Sequence, residues 1–112
     1  WAPAAPAVSI ALALPNVVLS WPAVTDDGQG HAVTVVRYEV WRSLKPYFVP
    51  GDASSPTPVS QPTTPGYSDT GAATDITTHY AYIVRAVSQY GKVSGSSNRV
   101  MEFGFALVPG TP

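Results

Sequence analysis

This sequence has no cysteine, and charged residues make up only 12% of its 112 positions. The absence of cysteine excludes a disulfide framework and a thiolate metal site, and it leaves the redox compartment open. Soluble domains usually carry roughly 25% charged residues, so we expect hydroxyl groups to solvate much of the surface. The six Lys and Arg are scattered and the formal net charge is −1, which disfavours nucleic acid and anionic lipid as partners.

The sequence also lacks a long apolar run, an initiator Met and a signal peptide. No apolar run approaches the ~18 residues that a membrane span needs. The sequence begins at Trp1 with neither a Met nor a signal peptide, so we expect it to be part of a longer chain. A length of 112 residues suits one domain with one core. The proline-rich ends predict linkers at residues 1–6 and 108–112, which leaves residues 7–107 for the domain.

Catalytic spacing is absent as well. The two histidines, His31 and His79, and the seven carboxylates are spread over predicted loops and strands. Gly95-Ser96-Ser97 is not the GxSxG elbow of a hydrolase, and no glycine-rich loop leads into a helix. We therefore expect no enzyme, no catalytic residue and no cofactor.

The segment 25–31 contains Asp26, Asp27 and His31, which could suggest a metal site. Calcium loops need oxygen ligands at fixed spacings and typically a distant bidentate carboxylate, which this segment lacks. We interpret it as a turn in which the aspartates bond their own backbone, and we expect no metal.

A strand pattern is present instead, most clearly at residues 79–87, HYAYIVRAV. Large side chains at alternate positions fall on one face, which is typical of a strand buried on one side. Two shorter alternating runs, residues 8–12 and 17–21, flank the turn-forming Pro15-Asn16 and predict a hairpin. Residues 32–43 predict a third strand, and if Tyr38 and Val40 face inward, Trp41 faces outward. Its β-branched start allows a bulge before Arg37.

Four motifs resemble those of fibronectin type III domains. They are Trp21 at the end of the second strand, YxVxR at residues 38–42, YxDTG at residues 67–71 and SxSSNRV at residues 94–100. The resemblance implies an all-β, immunoglobulin-like sandwich of seven antiparallel strands, with Tyr80 at the tyrosine-corner position. It also implies a structural core that contains Trp21, Tyr38, Val40, Tyr67, Tyr80, Tyr82 and Val84.

The sequence departs from the family pattern after the third strand, strand C of the family. Residues 44–66, here named the insertion, contain six prolines in 23 positions, which disfavours a regular strand there. The first half is apolar and aromatic and is expected to be ordered. The second half is rich in Ser, Thr and Pro and is expected to be mobile.

Residues 79–87 correspond to strand F of the family, and a last strand, strand G, is expected from Ser94 to Phe105. The outward face of strands C, F and G would carry an apolar patch that is too large to leave bare. We expect the aromatic half of the insertion to cover it, with Trp41 and Phe48 in contact and largely buried. An open patch would instead favour a binding face. The side chains concerned are Trp41, Tyr47, Phe48, Ile83, Met101 and Phe103.

These observations predict a noncatalytic structural or spacer module of a larger secreted or cell-surface protein of bacterial type. The alternative is a protein- or carbohydrate-binding module that uses exposed aromatics of the C, F and G face. The expected partners are neighbouring domains of the same chain, with protein or glycan partners in the alternative. The module itself is expected to be monomeric.

Overall fold

A computed structural model describes residues 2–13, 16–45, 48–53, 55–70 and 80–102. Within these ranges the chain forms strands and no helix, and it contains no helix of the length and apolar composition needed to cross a membrane. The strands are β1 (Ser9–Ala13), β2 (Asn16–Ser20), β3 (Val35–Ser43), β4 (Gly66–Asp69), β5 (Tyr80–Ser88) and β6 (Val100–Glu102).

The strands form two antiparallel sheets, one in the order β1-β2-β4 and the other in the order β3-β5-β6. The chain changes sheet after β2, after β3 and after β4, so sequential strands are divided between two layers. This confirms the all-β class. The expected number of seven strands is not confirmed, because the described residues contain six strands and three isolated bridges, one of which joins Val40 to Ser60.

The core lies between the two sheets and is built from alternate positions of β2, β3 and β5. Trp21 packs edge-on against Tyr38, with ring centroids 5.3 Å apart, a geometry that aromatic pairs prefer. The backbone N–H of Val24 donates to the Tyr38 hydroxyl at 3.0 Å, so the polar end of this side chain is satisfied. The buried members of the core are Val8, Val17, Leu19, Trp21, Tyr38, Val40, Tyr82, Val84 and Ala86.

The central strand β5 is buried on both faces rather than on one. Tyr82 and Val84 face the core, but Ala81, Ile83 and Val87 on the opposite face are also at most 2% exposed. A one-sided pattern was expected from the alternation alone. The difference arises because the outward face is covered by another part of the chain.

Strand β3 carries the expected irregularity near its start. Its register with β5 shifts between Val35 and Arg37, which confirms a bulge in the β-branched run. The bulge corrects the side-chain phase, so that Tyr38 and Val40 point inward and Trp41 outward.

The second half of the insertion lies along the free edge of β3. The N–H groups of Tyr38 and Val40 donate to the carbonyls of Pro62 and Ser60 at 2.8 and 2.9 Å, and Val59 N–H donates to Val40 at 2.8 Å. A mobile segment was expected here from composition. That expectation neglected the unpaired backbone groups of an edge strand, which need partners.

The last strand is shorter than predicted. A strand was expected from Ser94 to Phe105, but β6 begins at Val100. Ahead of it, Ser94 and Ser97 pair with β5 through both backbone and side chain: each N–H donates to a β5 carbonyl, and the Oγ atoms accept from Ala86 and Val84 N–H at 2.8 Å. Serine hydroxyls therefore replace part of a regular ladder.

The segment before β1 lies against the body of the domain. Pro3 and Pro6 are buried, and Ala4 N–H donates to the Asp26 carbonyl at 2.9 Å. Further along, Val8 N–H donates to Asn98 Oδ1 at 2.8 Å, and Asn98 Nδ2 donates to the Val8 carbonyl at 3.0 Å.

Candidate functional site

The outward face of the β3-β5-β6 sheet carries a second buried cluster, here named the outer cluster. It consists of Trp41, Phe48, Ala81 and Ile83, with Met101 packed against them. Cross-strand pairing sets Trp41 beside Ile83 and Ala81 beside Met101, and side chains paired in this way stabilise a sheet. Trp41 is 8% exposed and Phe48 only 1%.

Phe48 covers this face, and its backbone is hydrogen-bonded to Lys45 in the insertion and to Arg99 just ahead of β6. Its N–H donates to the Lys45 carbonyl at 3.2 Å, which folds the insertion back towards β3. Arg99 Nη2 donates to the Phe48 carbonyl at 2.7 Å, and the Arg99 guanidinium lies 5.9 Å from the centre of the Phe48 ring. A cation at this distance from an aromatic face is attracted to it.

Trp41 is held from the solvent side by charged residues of the same sheet. The Arg85 guanidinium lies 5.9 Å from the Trp41 ring centre, and Trp41 Nε1 donates to Glu39 Oε1 at 3.3 Å. The polar edge of the indole is therefore paired, and its apolar area is divided between the outer cluster and the arginine. The outer cluster consequently offers no row of open aromatic rings among the residues that the structure describes.

A buried carboxylate, Asp69, lies at the end of β4 and joins the two sheets. Asp69 is 4% exposed. It accepts a hydrogen bond from the Tyr82 hydroxyl at 2.7 Å, and Arg42 Nη1 donates to both of its carboxylate oxygens at 3.0 and 2.9 Å. The Arg42 guanidinium also lies over the Tyr80 ring, 4.3 Å from its centre. We name Arg42, Asp69 and Tyr82 the buried triad.

The electrostatics of the buried triad follow from burial and from the charge of Asp69. Burial raises the pKa of the Tyr82 hydroxyl, and its hydrogen bond to Asp69 raises that pKa further. Burial alone would lower the pKa of Arg42, but the hydrogen bond and the negative charge of Asp69 outweigh it and raise that pKa. Tyr82 therefore stays a neutral donor and Arg42 stays charged, an arrangement suited to holding β3, β4 and β5 together.

Sequence reasoning did not single out Asp69, although a signal was present. Arg42 shares the inward phase of Tyr38 and Val40 in β3, and a charge on a core-facing position needs a partner. The sequence has few carboxylates in predicted strands, and Asp69 within YSDTG is one of them. Alternation could therefore have predicted an Arg42–Asp69 pair.

The loop after β2 folds as a pair of aspartate turns. Asp26 accepts from Gly28 N–H at 3.1 Å, and Asp27 accepts from the N–H groups of Gln29 and His31 at 2.7 and 3.0 Å. This confirms that the aspartates bond their own backbone. The His31 ring is also paired with Asp27, with Nδ1 2.7 Å from Oδ2. No group of three or more potential metal ligands occurs in the described ranges.

The pKa of Asp27 reflects these contacts. Desolvation by itself would raise the pKa, but the hydrogen bonds from Gln29 and His31 N–H and the neighbouring His31 ring outweigh it. Together they lower the pKa from 3.8 to about 2. Asp27 is therefore a fixed negative charge that orders its own loop.

The predicted residues divide into three groups. Trp21, Tyr38, Val40, Tyr82 and Val84 lie in the core, and Tyr67 and Tyr80 pack against it half-buried. Of the predicted patch, Trp41, Phe48, Ile83 and Met101 meet in the outer cluster. Tyr47, Phe103, His79 and the linker at 108–112 lie outside the described residues, as does the segment 71–79 that would supply a tyrosine-corner acceptor for Tyr80, so these predictions stay open.

Comparison with known proteins is informative for structure alone. No protein-family model matches the sequence, and no curated protein matches it. Among solved structures, an Fn3-like protein from Clostridium thermocellum is similar with a TM-score of 0.65 and 28% identity, over 90% of this chain and 92% of that chain.

Two enzymes contain a similar domain. Pectate lyase PelI from Erwinia chrysanthemi, in complex with tetragalacturonic acid, is matched with a TM-score of 0.63 and 21% identity, over 88% of this chain and 28% of the lyase. A beta-1,2-glucanase from Parabacteroides distasonis is matched with a TM-score of 0.66 and 17% identity, over 91% of this chain and 12% of the glucanase. The likeness is to a minor part of each enzyme, and at these identities it concerns the fold alone.

Proposed function

Because the chain is a fibronectin type III-like domain, we propose that it is a noncatalytic spacer module within a larger multidomain protein. The observation that carries this proposal is the coverage of the two enzymes: nearly all of this chain corresponds to 28% of one and 12% of the other. A fold that recurs as a minor part of larger chains suits a role in positioning other domains.

The packing of the described residues supports the same role. Both faces of the β3-β5-β6 sheet are filled, one by the core and the other by the outer cluster. The apolar area that could have formed an aromatic binding face is used to attach the insertion, so the binding alternative on this face loses its main support. Burial on both faces also stiffens the module, as a spacer requires.

We place the module in a secreted or cell-surface protein, of the bacterial type that the sequence motifs resemble. A surface solvated by hydroxyls, with 12% charged residues and no cysteine, suits that setting. In this proposal the partners are the neighbouring domains of the same chain, and the module is monomeric by itself. We also propose that the complete domain has the seven strands of the family. We propose in addition that the proline-rich insertion after the third strand distinguishes this chain from other members.

A fusion experiment tests the spacer role. The 112-residue chain is placed between two fluorescent proteins, and the distribution of distances between the two fluorophores is determined from the fluorescence decay of the donor, which is faster than the motion of a flexible chain. We expect a narrow distribution that persists until urea unfolds the module. The matched control is a Gly/Ser linker of equal length, which behaves as a random coil and gives a broad distribution. An equally broad distribution for the module would contradict a spacer role.

The noncatalytic part of the proposal has its own test. The purified chain is incubated with chromogenic glycosides and esters and with pectin and β-glucans, and the products are quantified. We expect no turnover above that of the heat-unfolded protein. Turnover that disappears on unfolding would show that the module is an enzyme.

A further inference from the structure

A cavity of about 450 Å³ opens at one end of the sandwich, away from the outer cluster and the buried triad. It lies between the segment that enters β3 and the turn that follows β5. Thr25, Ala32, Val33 and Thr34 line one side, and Gln89 and Tyr90 line the other. This volume falls within the ~300–1,000 Å³ typical of small-molecule sites.

The two sides of the cavity are fixed by backbone hydrogen bonds. Val33 N–H donates to the Thr25 carbonyl at 2.9 Å, and Gln89 N–H donates across the gap to the Thr34 carbonyl at 2.9 Å. The backbone around the cavity is therefore already ordered, so a ligand would not lose binding free energy in ordering it.

The turn that presents Tyr90 is also held in place. Its N–H donates to Ser88 Oγ at 3.2 Å, and Gly91 N–H donates to the Ser88 carbonyl at 2.9 Å. Gly91 has φ +80°, a conformation that side chains disfavour and that closes the turn. Tyr90 is nevertheless 82% exposed, so a rigid turn holds a large aromatic side chain out in solvent.

The polar groups around the cavity have unused hydrogen-bonding capacity. The side chains of Thr25, Thr34 and Gln89 make no hydrogen bond with another residue in the described part of the chain. Two hydroxyls and an amide therefore remain available as both donors and acceptors. No Asp, Glu, Lys or Arg lines the cavity, so the available chemistry is polar and uncharged.

We propose that this cavity binds a short segment of a neutral oligosaccharide. A pyranose ring has an apolar face that can pack against Tyr90, and its hydroxyls match donor-acceptor groups such as those of Gln89, Thr25 and Thr34. The apolar surfaces of Ala32 and Val33 complete the contact. This site goes beyond a spacer role, because it lets the module contact a polysaccharide while it positions its neighbours.

Two other ligand classes fit less well. A uronic acid would place a carboxylate in a cavity whose lining offers no positive charge to pair with it. Proline-rich peptides dock in grooves lined by several aromatic side chains, whereas Tyr90 is the single aromatic residue among those that line this cavity.

Amide chemical shifts provide the test. The ¹⁵N-labelled 112-residue chain is titrated to about 10 mM, where weak binding is measurable, with cellohexaose, laminarihexaose and mannohexaose. Tetragalacturonate and a decaproline peptide are titrated in parallel. We expect at least one neutral hexaose to shift the signals of Thr25, Val33, Thr34, Gln89 and Tyr90 in a saturable manner, and the charged sugar and the peptide to leave them in place.

Three variants establish which contact is responsible. Tyr90→Ala should weaken binding about tenfold or more, and Tyr90→Phe should stay within about threefold of the parent, since the ring contact is retained. Leu44→Ala, which truncates a 62% exposed side chain outside the cavity, should bind like the parent. The proposal is overturned if no neutral hexaose shifts these signals, if the peptide or tetragalacturonate binds there more tightly, or if binding survives Tyr90→Ala.

Discussion

Removing the carboxylate of Asp69 should destabilise the module more than any other substitution of an acidic residue in its described part. Asp69 is 4% exposed, and it accepts hydrogen bonds from Tyr82 and Arg42 at 2.7 to 3.0 Å. Asp69→Ala leaves the Tyr82 hydroxyl buried without an acceptor and leaves Arg42 without its counter-charge. Both consequences act at the point where β3, β4 and β5 meet.

The magnitude follows from the exposure of each partner. Tyr82 is 0% exposed, and a buried polar group without a partner costs about 1–3 kcal/mol. Breaking a buried ion pair costs about 3–5 kcal/mol. The Arg42 side chain is 30% exposed, so water can recover part of its loss. We therefore expect Asp69→Ala to lower the free energy of unfolding by about 3–4 kcal/mol, towards the lower end of that range.

A double-mutant cycle isolates the hydrogen bond. Tyr82→Phe alone removes one bond to a charged acceptor and should cost about 1.5–3 kcal/mol. In the Asp69→Ala background the same change removes a hydroxyl that is buried without a partner, so it should cost nothing further and should recover part of the penalty of about 1–3 kcal/mol. The coupling between the two sites should therefore be at least about 1.5–3 kcal/mol.

Urea unfolding followed by tryptophan fluorescence measures all of these variants, provided that the dependence on urea keeps the same slope. The matched control is Asp26→Ala, since the Asp26 carboxylate is exposed and accepts from Gly28 at 3.1 Å; it should cost no more than about 1 kcal/mol. If Asp69→Ala costs no more than this control, or if Tyr82→Phe costs the same in both backgrounds, the buried triad does not hold the strands together.

Three further outcomes are expected. Trp21→Ala should lower the free energy of unfolding by about 3–5 kcal/mol, because Trp21 is 5% exposed and packs on Tyr38. A urea midpoint near that of the parent would show that Trp21 lies outside the core. Phe48→Ala should speed hydrogen exchange in the insertion while β5 stays protected, and equal acceleration of both would show that the outer cluster is not separable from the core. The lowered pKa of Asp27 stabilises the fold fully above pH 3.8, and this contribution is lost as the pH falls through about 2. His31→Ala should raise the Asp27 pKa in a carboxyl NMR titration, and an unchanged value would contradict the role of the pair.

The parts of the fold that could be predicted from the sequence are those controlled by period-two alternation. The inward positions of β3 and β5 repeat every second residue, and this phase separates Tyr38 and Val40 from Trp41. The cover over the outer cluster could be predicted for a different reason. A large apolar patch needs burial, and the next apolar segment along the chain contains Phe48.

The parts that could not be predicted depend on which distant backbone groups are left unpaired. Composition described the second half of the insertion as polar and proline-rich, but its position follows from the open edge of β3, which local sequence does not reveal. The irregular approach to β6 has a similar origin, since the hydroxyls of Ser94 and Ser97 accept from β5. The cavity beside Tyr90 escaped prediction because its two sides come from segments that only the fold brings together.

The two hydrogen bonds between Val8 and Asn98 have a mechanical consequence. These residues lie 90 positions apart, one just ahead of β1 and the other just ahead of β6. When the domain is pulled from its two ends, tension from the leading segment reaches these two hydrogen bonds before it reaches the ladder between β1 and β2. The Val8–Asn98 hydrogen bonds and the Ala4–Asp26 hydrogen bond would then break first. The chain would lengthen by releasing its leading segment while the strands of both sheets stay paired.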